Sequence, residues 1–420
     1  MVDWTESMEQ TFKFYIVDPV TWKDTTELKN VKTATINRDE SLETLGSATF
    51  DVTESVGECY IRVYLITIQN GIEEKHALGT FMVQTPTSTF DGRVRTVSMD
   101  AYTPLLELKE KQPAIGYYVP KGKDVMEQAY ILTRDNTRTP VNKPAIPSTE
   151  LSYDFIADTD DTWLIFISDL LSAAYVSTCY EVSVQDGEYV RTNKIVDSNS
   201  VLSREKIDDV KTTSNDQVFK GSLSDEKEIL YCVISNTNKY KFDLDEMGRI
   251  LFVPEQDAAS LRPVWTYNDD NSSILYPSIS MNHDMYGIPN VVEVLYSDGN
   301  VVYYSKAVND DPNSPISTDK VKGRGREIVH RVTNPTLYGS PTQERVDEYA
   351  EQLLREMSSV EYTLTYTHAY CPVRVGDCVR LNYSRAGLKN IKAKVISQSI
   401  KCEPGCPVTE TVVFTNKLWR

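Results

Sequence analysis

The segment 340–357, with the sequence SPTQERVDEYAEQLLREM, and the turn at 372–377, PVRVGD, decide how the end of this chain folds. In the first, Ser340 suits an N-cap, Pro341 suits the first helical position, and Gln343 completes a capping box. Apolar residues then recur at helical spacing, namely Val346, Tyr349, Ala350, Leu353, Leu354 and Met357. A single apolar stripe of this kind packs on a sheet. The pattern predicts a helix that leads into strand, turn, strand and a closing β-rich stretch.

The first hundred residues form a second β-rich region. β-branched and aromatic residues alternate with polar ones in six runs, at 12–17, 31–36, 48–52, 59–68, 79–84 and 93–99. Turn sequences separate the runs at 37–39, 69–71 and 90–92. Short strands at this spacing are typical of an antiparallel barrel or sandwich.

Helices and hairpins are predicted between these two regions. A helical turn is expected from Leu105, and helices at 124–133, at 163–174 (capped by 160–162) and at 224–233. Hairpins are expected at 240–254 and 291–305, the second across Ser297-Asp298-Gly299-Asn300. The segments 137–150 and 185–222 are polar and weakly patterned, so we predict loops there.

The fold class predicted is therefore α+β, predominantly β. It consists of two small antiparallel β-barrel modules with helical and hairpin insertions. We expect a first barrel module at 1–108 and a helical and loop region at 109–222. A helix with a β-hairpin follows at 223–289, and the second barrel module, with packing helix 340–357, at 290–420.

Charge and composition limit the function classes. The chain has 44 Lys+Arg against 61 Asp+Glu, a net charge of −17, which argues against a protein that grips phosphates. An acidic wall would let a polyanion pass without sticking, or the acid excess keeps the protein soluble. No signal peptide or membrane span is recognised, so we expect synthesis in a cytoplasm.

No catalytic motif is found, and we predict no catalytic or cofactor-binding residue. The four histidines form no H-E-x-x-H pair, and neither a nucleophile elbow nor a P-loop occurs. A glycosidase pair of carboxylates stays open. Gly323-Arg324-Gly325 is interpreted as a mobile loop rather than a phosphate site.

Clustered carboxylates are given structural roles. Asp158, Asp160 and Asp161 precede a helix and are interpreted as capping groups. Asp243-Leu244-Asp245 is interpreted as the approach to a hairpin rather than a calcium loop. The remaining candidates, Asp257, Asp269 and Asp270, lie in turn-like sequence.

Four cysteines near the C-terminus are the one candidate metal cluster, and they are Cys371, Cys378, Cys402 and Cys406. Four thiols can hold a structural zinc, but their spacing departs from paired C-x₂-C motifs. A disulfide formed after release from the cell is a second interpretation. Buried free thiols are the interpretation we favour, and no metal is predicted.

Seven patches, in this order along the chain, resemble phage tail hub proteins. They are 39–52, 77–85 with 91–92 and 100–107, 245–254, 290–294, 334–335, 349–354 and 375–381. The segments 137–150 and 185–222 are not matched. The resemblance rests on the order in which these patches follow one another along the chain, and not on any single patch.

The resemblance implies a structural protein of the virion, located at the tail tip or baseplate and assembled in the host cytoplasm. It implies a homotrimer in which two related barrels per subunit give six near-equivalent units. Such a ring adapts a sixfold tail tube or distal tail protein to a central spike, fibre or tape-measure protein. DNA would pass through an acidic lumen without specific binding.

Two alternative functions belong to other classes. One is a tail-associated glycan hydrolase, and the other is an adhesin for the host surface. The chain stops at Trp419-Arg420 without a peptidase, lysozyme or fibre-like extension, so we expect wall degradation to belong to a separate protein.

Overall fold

The protein is described from a computed structural model. The structure describes residues 2–54, 56–93, 95–144, 150–151, 154–172, 175–185, 188–196, 205–206, 217–222, 228–238, 240–254, 261–270, 273–283, 286–297, 301–335 and 342–417. The chain forms two compact units. One comprises Met1–Ser278 and Tyr366–Thr411, and the other comprises Ile279–Thr365 and Val412–Arg420. The division into four sequence segments stays a prediction.

Strands dominate the described residues. The elements in chain order are β1 (Glu9–Val17), β2 (Asp24–Glu27), β3 (Val31–Asp39), β4 (Gly46–Val52), β5 (Tyr60–Gln69), β6 (Ile72–Phe90), β7 (Arg95–Tyr102), α1 (Leu106–Glu110), β8 (Tyr118–Val119), α2 (Val125–Asn136), β9 (Phe155–Ile156), α3 (Trp163–Ser172), β10 (Tyr175–Gln185), β11 (Glu188–Val196), β12 (Glu205–Lys206), β13 (Gln217–Ser222), β14 (Glu228–Asn238), β15 (Tyr240–Leu244), β16 (Ile250–Pro254), β17 (Trp265–Asn268), β18 (Leu275–His283), β19 (Val291–Ser297), β20 (Val302–Val308), β21 (Val329–Thr333), α4 (Gln343–Met357), β22 (Ser359–Ala369), β23 (Cys378–Tyr383), β24 (Leu388–Lys401) and β25 (Pro407–Lys417). The predicted class, α+β and predominantly β, is confirmed.

The largest sheet joins strands from both ends of the chain. In the described residues its order is β18-β22-β25-β24-β3-β4-β7-β6-β5-β1-β2, with β23 beside β24 and β17 beside β23. The join is the antiparallel pair β3–β24, in which Ile36 faces Ile400. The same strands share one core, where Phe14, Phe50 and Ile36 pack with Ile400 and Val408.

In the residues that the structure describes, the two predicted barrels are not closed. Strand β3, at one end of the first module's run of strands, pairs with β24 of the second module and not with β2 at the other end of the run. The predicted turn at 37–39 is also wrong, because β3 continues to Asp39, which faces Ser397. The turn to β4 follows it, where Leu45 and Gly46 both have positive φ.

The predicted helix at 224–233 is wrong in its described part. From Glu228 the chain is strand β14, which pairs with β10 and β13. The run EILYCVIS is rich in β-branched and aromatic residues, which favour a strand over a helix. Residues 185–222 were predicted as a loop, but their described parts include strands β11, β12 and β13.

The other helices and hairpins lie where the sequence predicts them. Asp124 caps α2 by accepting the N–H of Glu127 at 2.8 Å, and Thr162 accepts the N–H of Ile165 near the start of α3. Helices α1, α2 and α3 pack with the hairpin β15–β16 in a second core. The hairpin β19–β20 is likewise confirmed.

Helix α4 packs on β19 and β20 within the second unit through Val346, Ala350 and Leu354, so its apolar stripe is confirmed. Its N-cap is Thr342, whose hydroxyl accepts the N–H of Arg345 at 3.3 Å, and not Ser340. Ser340 and Pro341 themselves lie outside the described residues. Gln343 forms no capping box, because its side-chain amide donates to the carbonyl of Tyr304 and to Asp347.

No helix in the described part of the chain has the length and apolar character needed to cross a membrane.

Candidate functional site

The four candidate cysteines do not form one cluster: Cys402 and Cys406 pack against the same core and interact with each other, whereas Cys371 and Cys378 have other hydrogen-bond neighbours. Cys371 Sγ lies 3.4 Å from the Tyr267 hydroxyl, and Cys378 Sγ donates to the carbonyl of Val379 at 3.8 Å. Burial raises the pKa of Cys378 to about 11 and of Cys406 to about 12, and it also raises that of Cys402. Zinc binds thiolates, and burial disfavours the thiolate form of Cys378, Cys402 and Cys406. In the ranges that the structure describes, no three His, Cys, Asp or Glu side chains gather as a metal site.

The candidate carboxylates make local contacts. Asp161 accepts the backbone N–H of Asp158 at 2.9 Å, and Asp269 accepts the N–H of Ser384 at 2.8 Å. Asp243 lies in β15 opposite Leu251, so the hairpin interpretation is confirmed. Asp160 accepts a hydrogen bond from the Thr159 hydroxyl at 3.5 Å, and Asp257 lies outside the described residues.

A buried polar cluster surrounds Glu410, a carboxylate with no exposed surface. The Glu410 cluster comprises Tyr267, Tyr366, His368, Gln398 and Glu410. Glu410 accepts hydrogen bonds from Tyr366 at 2.6 Å, from Gln398 at 2.7 Å and from Tyr267 at 3.2 Å. The two tyrosines bind Oε1 of Glu410, whereas Gln398 binds Oε2, and His368 Nε2 lies 3.5 Å from Oε2. A buried carboxylate is tolerated when donors satisfy it in this way.

The charge of His368 follows from this environment. Burial alone would lower the pKa of His368, but the contacts with Cys371 and Glu410 outweigh it and raise the pKa to about 10. Burial raises the pKa values of Tyr267 and Tyr366 well above the ordinary range, so both hydroxyls remain donors. Since the side chains of His368 and Glu410 are both 0% exposed, no substrate reaches them. The cluster holds strands together.

A charged cavity of about 370 Å³ lies within the first unit, between the hairpin β15–β16 and strands of the large sheet. Arg374 donates to Glu246 at 2.8 Å and lies 3.8 Å from Asp243. Glu40 lies 2.7 Å from Lys394 and 3.2 Å from Lys241. The basic side chains Arg374, Lys394 and Lys241 of the wall are therefore each paired with a carboxylate.

Two further groups shape the cavity electrostatics. Burial raises the pKa of Asp377 to about 6. The Arg38 guanidinium donates to Gln398 at 3.2 Å and to the carbonyl of Leu78 at 2.6 Å, which links the cavity to the Glu410 cluster. Burial lowers the pKa of Arg38. Among the described lining residues we find no nucleophile paired with a base.

A second buried charge, Arg62, was not recognised from the sequence. It is 1% exposed and donates to Asp24 at 2.8 Å, to Thr80 at 2.9 Å and to the carbonyl of Met247 at 3.0 Å. The Trp22 indole donates to the same carbonyl at 2.7 Å. Arg62 thus ties the hairpin turn to β5 and β6. Its position inside the apolar run YIRVYLITI was the available signal.

Comparison with known proteins places this fold. No family model matches the chain, and no curated protein matches it. Among solved structures, a tail protein from Neisseria meningitidis MC58 has 11% identity and a TM-score of 0.50, over 96% of this chain and 97% of that one. The chain shares a phage tail protein fold. The 43 kDa tail protein of prophage MuSo2 from Shewanella oneidensis agrees, with 10% identity and a TM-score of 0.50 over 96% and 98% of the two chains.

These two likenesses confirm, for the fold, the resemblance to phage tail proteins inferred from the sequence. They extend over nearly the full length of all three chains, which includes both units.

Proposed function

We propose that this protein is a structural hub of a phage tail or baseplate, with no enzymatic activity. The observation that carries the proposal is the match in fold to two tail proteins over 96% of the chain. The fold is shared with tail proteins over 96% of the chain. In the described residues we find no accessible catalytic group, so a structural role in an assembly is favoured over an enzymatic role.

We propose further that three copies form a ring at the tail tip. One face would carry the tail tube or distal tail protein, and the other a spike, fibre or tape-measure protein. Closed symmetric assemblies need complementary surfaces and no reactive groups. A lumen lined by some of the 61 acidic residues would let DNA pass.

Native mass spectrometry over a range of concentrations tests this proposal. We expect an assembly of three chains of 47.6 kDa each. Electron microscopy of the same sample should show a threefold particle with an open centre. A protein that stays monomeric at every concentration, or releases sugars from cell walls, would contradict the proposal.

A further inference from the structure

A loop of the second unit, residues 309–328, contains four basic and four acidic residues, and its four basic residues are grouped within 320–326. Within residues 309–328, which we name the basic loop, Lys320, Lys322, Arg324 and Arg326 fall in seven consecutive positions. The whole chain carries a net charge of −17, so this grouping runs against its general composition. Clustered Lys and Arg are the electrostatic footprint of a polyanion partner.

Buried amides hold the two ends of the basic loop. Asn290, with no exposed surface, donates to the carbonyls of Ile316 and Arg326 at 2.8 Å each and accepts the N–H of Ile328 at 2.7 Å. Asn309, also fully buried, donates to Ser314 at 3.0 Å. The loop backbone is therefore fixed before any ligand arrives, which reduces the entropy lost on binding.

The tip of the basic loop is fixed as well. The Asp319 carboxylate accepts hydrogen bonds from the backbone N–H groups of Val321 and Lys322 at 2.9 and 2.7 Å, and these bonds hold the turn. Gly323 packs so closely that an added Cβ would lie 2.5 Å from the carbonyl oxygen of Ser317. Only glycine fits there. The sequence predicted a mobile loop at this glycine, and that mobility stays a prediction.

The basic side chains face solvent. Lys320, Lys322 and Arg326 are exposed, and in the described part of the chain none of the three forms an ion pair. The neighbouring Glu327 is paired with Lys306 at 3.0 Å. Three exposed cations are thus presented together on one fixed loop, and one of them, Lys322, also interacts electrostatically with the nearby Asp319 carboxylate.

We propose that the basic loop contacts the phosphate backbone of duplex DNA. The choice of DNA among polyanions rests on the proposed function, in which DNA passes the protein. Contacts of this kind neutralise phosphates without reading sequence. The remote acidic residues oppose the contact little, because charges farther apart than about 10 Å are largely screened at 0.1 M salt. The proposal concerns these side chains and not the Gly-x-Gly sequence.

Fluorescence anisotropy of a labelled random-sequence DNA duplex with the full-length protein tests the inference. We expect weak binding at 50 mM KCl that falls by about 40-fold at 200 mM, the salt dependence of about three phosphate contacts. In the triple variant K320Q/K322Q/R326Q, binding at 50 mM should fall at least about tenfold and lose most of its salt dependence.

Two further variants test whether DNA binding depends on the position of the charges and on the conformation of the loop. K29Q/K121Q/K123Q removes the same charge at exposed positions elsewhere and should bind DNA like the wild type. Gly323→Ala keeps the charge but displaces the tip, so it should weaken binding. Equal binding by Gly323→Ala would contradict the need for a fixed loop.

Other results would overturn the inference. They are no DNA binding by the wild type at 50 mM KCl, an equal loss in both triple variants, or binding to phosphatidylglycerol vesicles but not to DNA. Native mass spectrometry of the same samples separates the two proposals. If the protein is trimeric but does not bind DNA, only the proposal for the basic loop is contradicted. If it is monomeric and binds DNA through the basic loop, only the proposed hub function is contradicted.

Discussion

Buried charges are the residues whose replacement is most informative here. Arg62 and Glu410 both lie in strands of the large sheet, and each is surrounded by donors or acceptors from several elements. Removing one member leaves polar partners without hydrogen bonds in a site that water does not reach.

Replacing Arg62 with Met should lower the free energy of unfolding by about 2–3 kcal/mol. The change leaves Asp24 and the carbonyl of Met247 without their buried donor, although Asp24 is partly exposed. Urea denaturation followed by tryptophan fluorescence measures the effect. Arg355→Met is the matched control, since its partner Glu351 is exposed and the change should stay within about 0.5 kcal/mol. Similar losses in both variants would contradict the role of Arg62.

His368 predicts a pH dependence of stability. Its pKa is raised from 6.5 to about 10, so the folded protein holds the proton more tightly than the unfolded chain does. The stabilisation is fully present below pH 6.5 and is lost as the pH rises through about 10. We expect the urea midpoint to fall between pH 7 and pH 10 by more in the wild type than in His368→Gln. Parallel pH profiles of the two proteins would contradict this assignment.

The sequence contained part of this information. Strand alternation places Glu410 on the same face as Val408 and Val412, all three buried, so an inward carboxylate was predictable from register. The partners of Glu410 were not predictable. Tyr267 lies 143 residues away along the chain, and only the tertiary fold brings it to the carboxylate.

Elements were predicted best where local signals were strong. The strands of the first hundred residues, the hairpin β15–β16 and helix α4 each combine a clear period with turn or cap residues. The helix predicted at 224–233 was wrong, because the polar residues 224–227 suggested a helix start, whereas the β-branched and aromatic residues that follow favour strand β14. The prediction also failed at the cap of α4, because neighbouring Ser340 and Thr342 are both good caps.

The turn of the hairpin β15–β16 provides a test at this scale. Gly248 has a φ of +76°, and an added Cβ would lie 2.7 Å from Thr80 Cβ in β6. Gly248→Ala should therefore move the hairpin off the sheet and lower the free energy of unfolding by about 1–3 kcal/mol more than a control. Urea denaturation of both variants measures the difference. The control is Gly92→Ala, where φ is +90° and no atom lies within 4 Å.

Equal destabilisation by Gly248→Ala and Gly92→Ala would show that only backbone strain matters at Gly248. The contact between the hairpin turn and β6 would then not contribute to stability.

At the scale of the whole molecule, the order of short sequence patches predicted the fold shared with two tail proteins at about a tenth identity. Barrel closure was predicted wrongly, since local periodicity says which segments are strands but not which distant edges pair. The pair β3–β24 is such a contact, and the sequence around Ile36 gives no indication that Ile36 pairs with Ile400.

This pairing predicts the behaviour of a truncated chain. A protein ending at residue 365 lacks β24 and the core residues Tyr370, Ile400, Cys406 and Val408, so the large sheet loses its C-terminal strands. We expect its amides in β3 and β4 to exchange with deuterium far faster than in the full-length protein. Unchanged protection would contradict a core that depends on both ends of the chain. Removing only residues 418–420 is the control and should leave protection intact.

The side chains of Arg38 and Gln398 are hydrogen-bonded although they lie 360 positions apart in sequence. This separation determines when, during synthesis of the chain, the contact can form. A ribosome adds Gln398 only 360 residues after Arg38, and until β24 has been made the N-terminal strands have an unpaired edge at β3. The large sheet is consequently completed only after β24 has been synthesised, and a polypeptide that ends before β24 cannot cover this edge of β3.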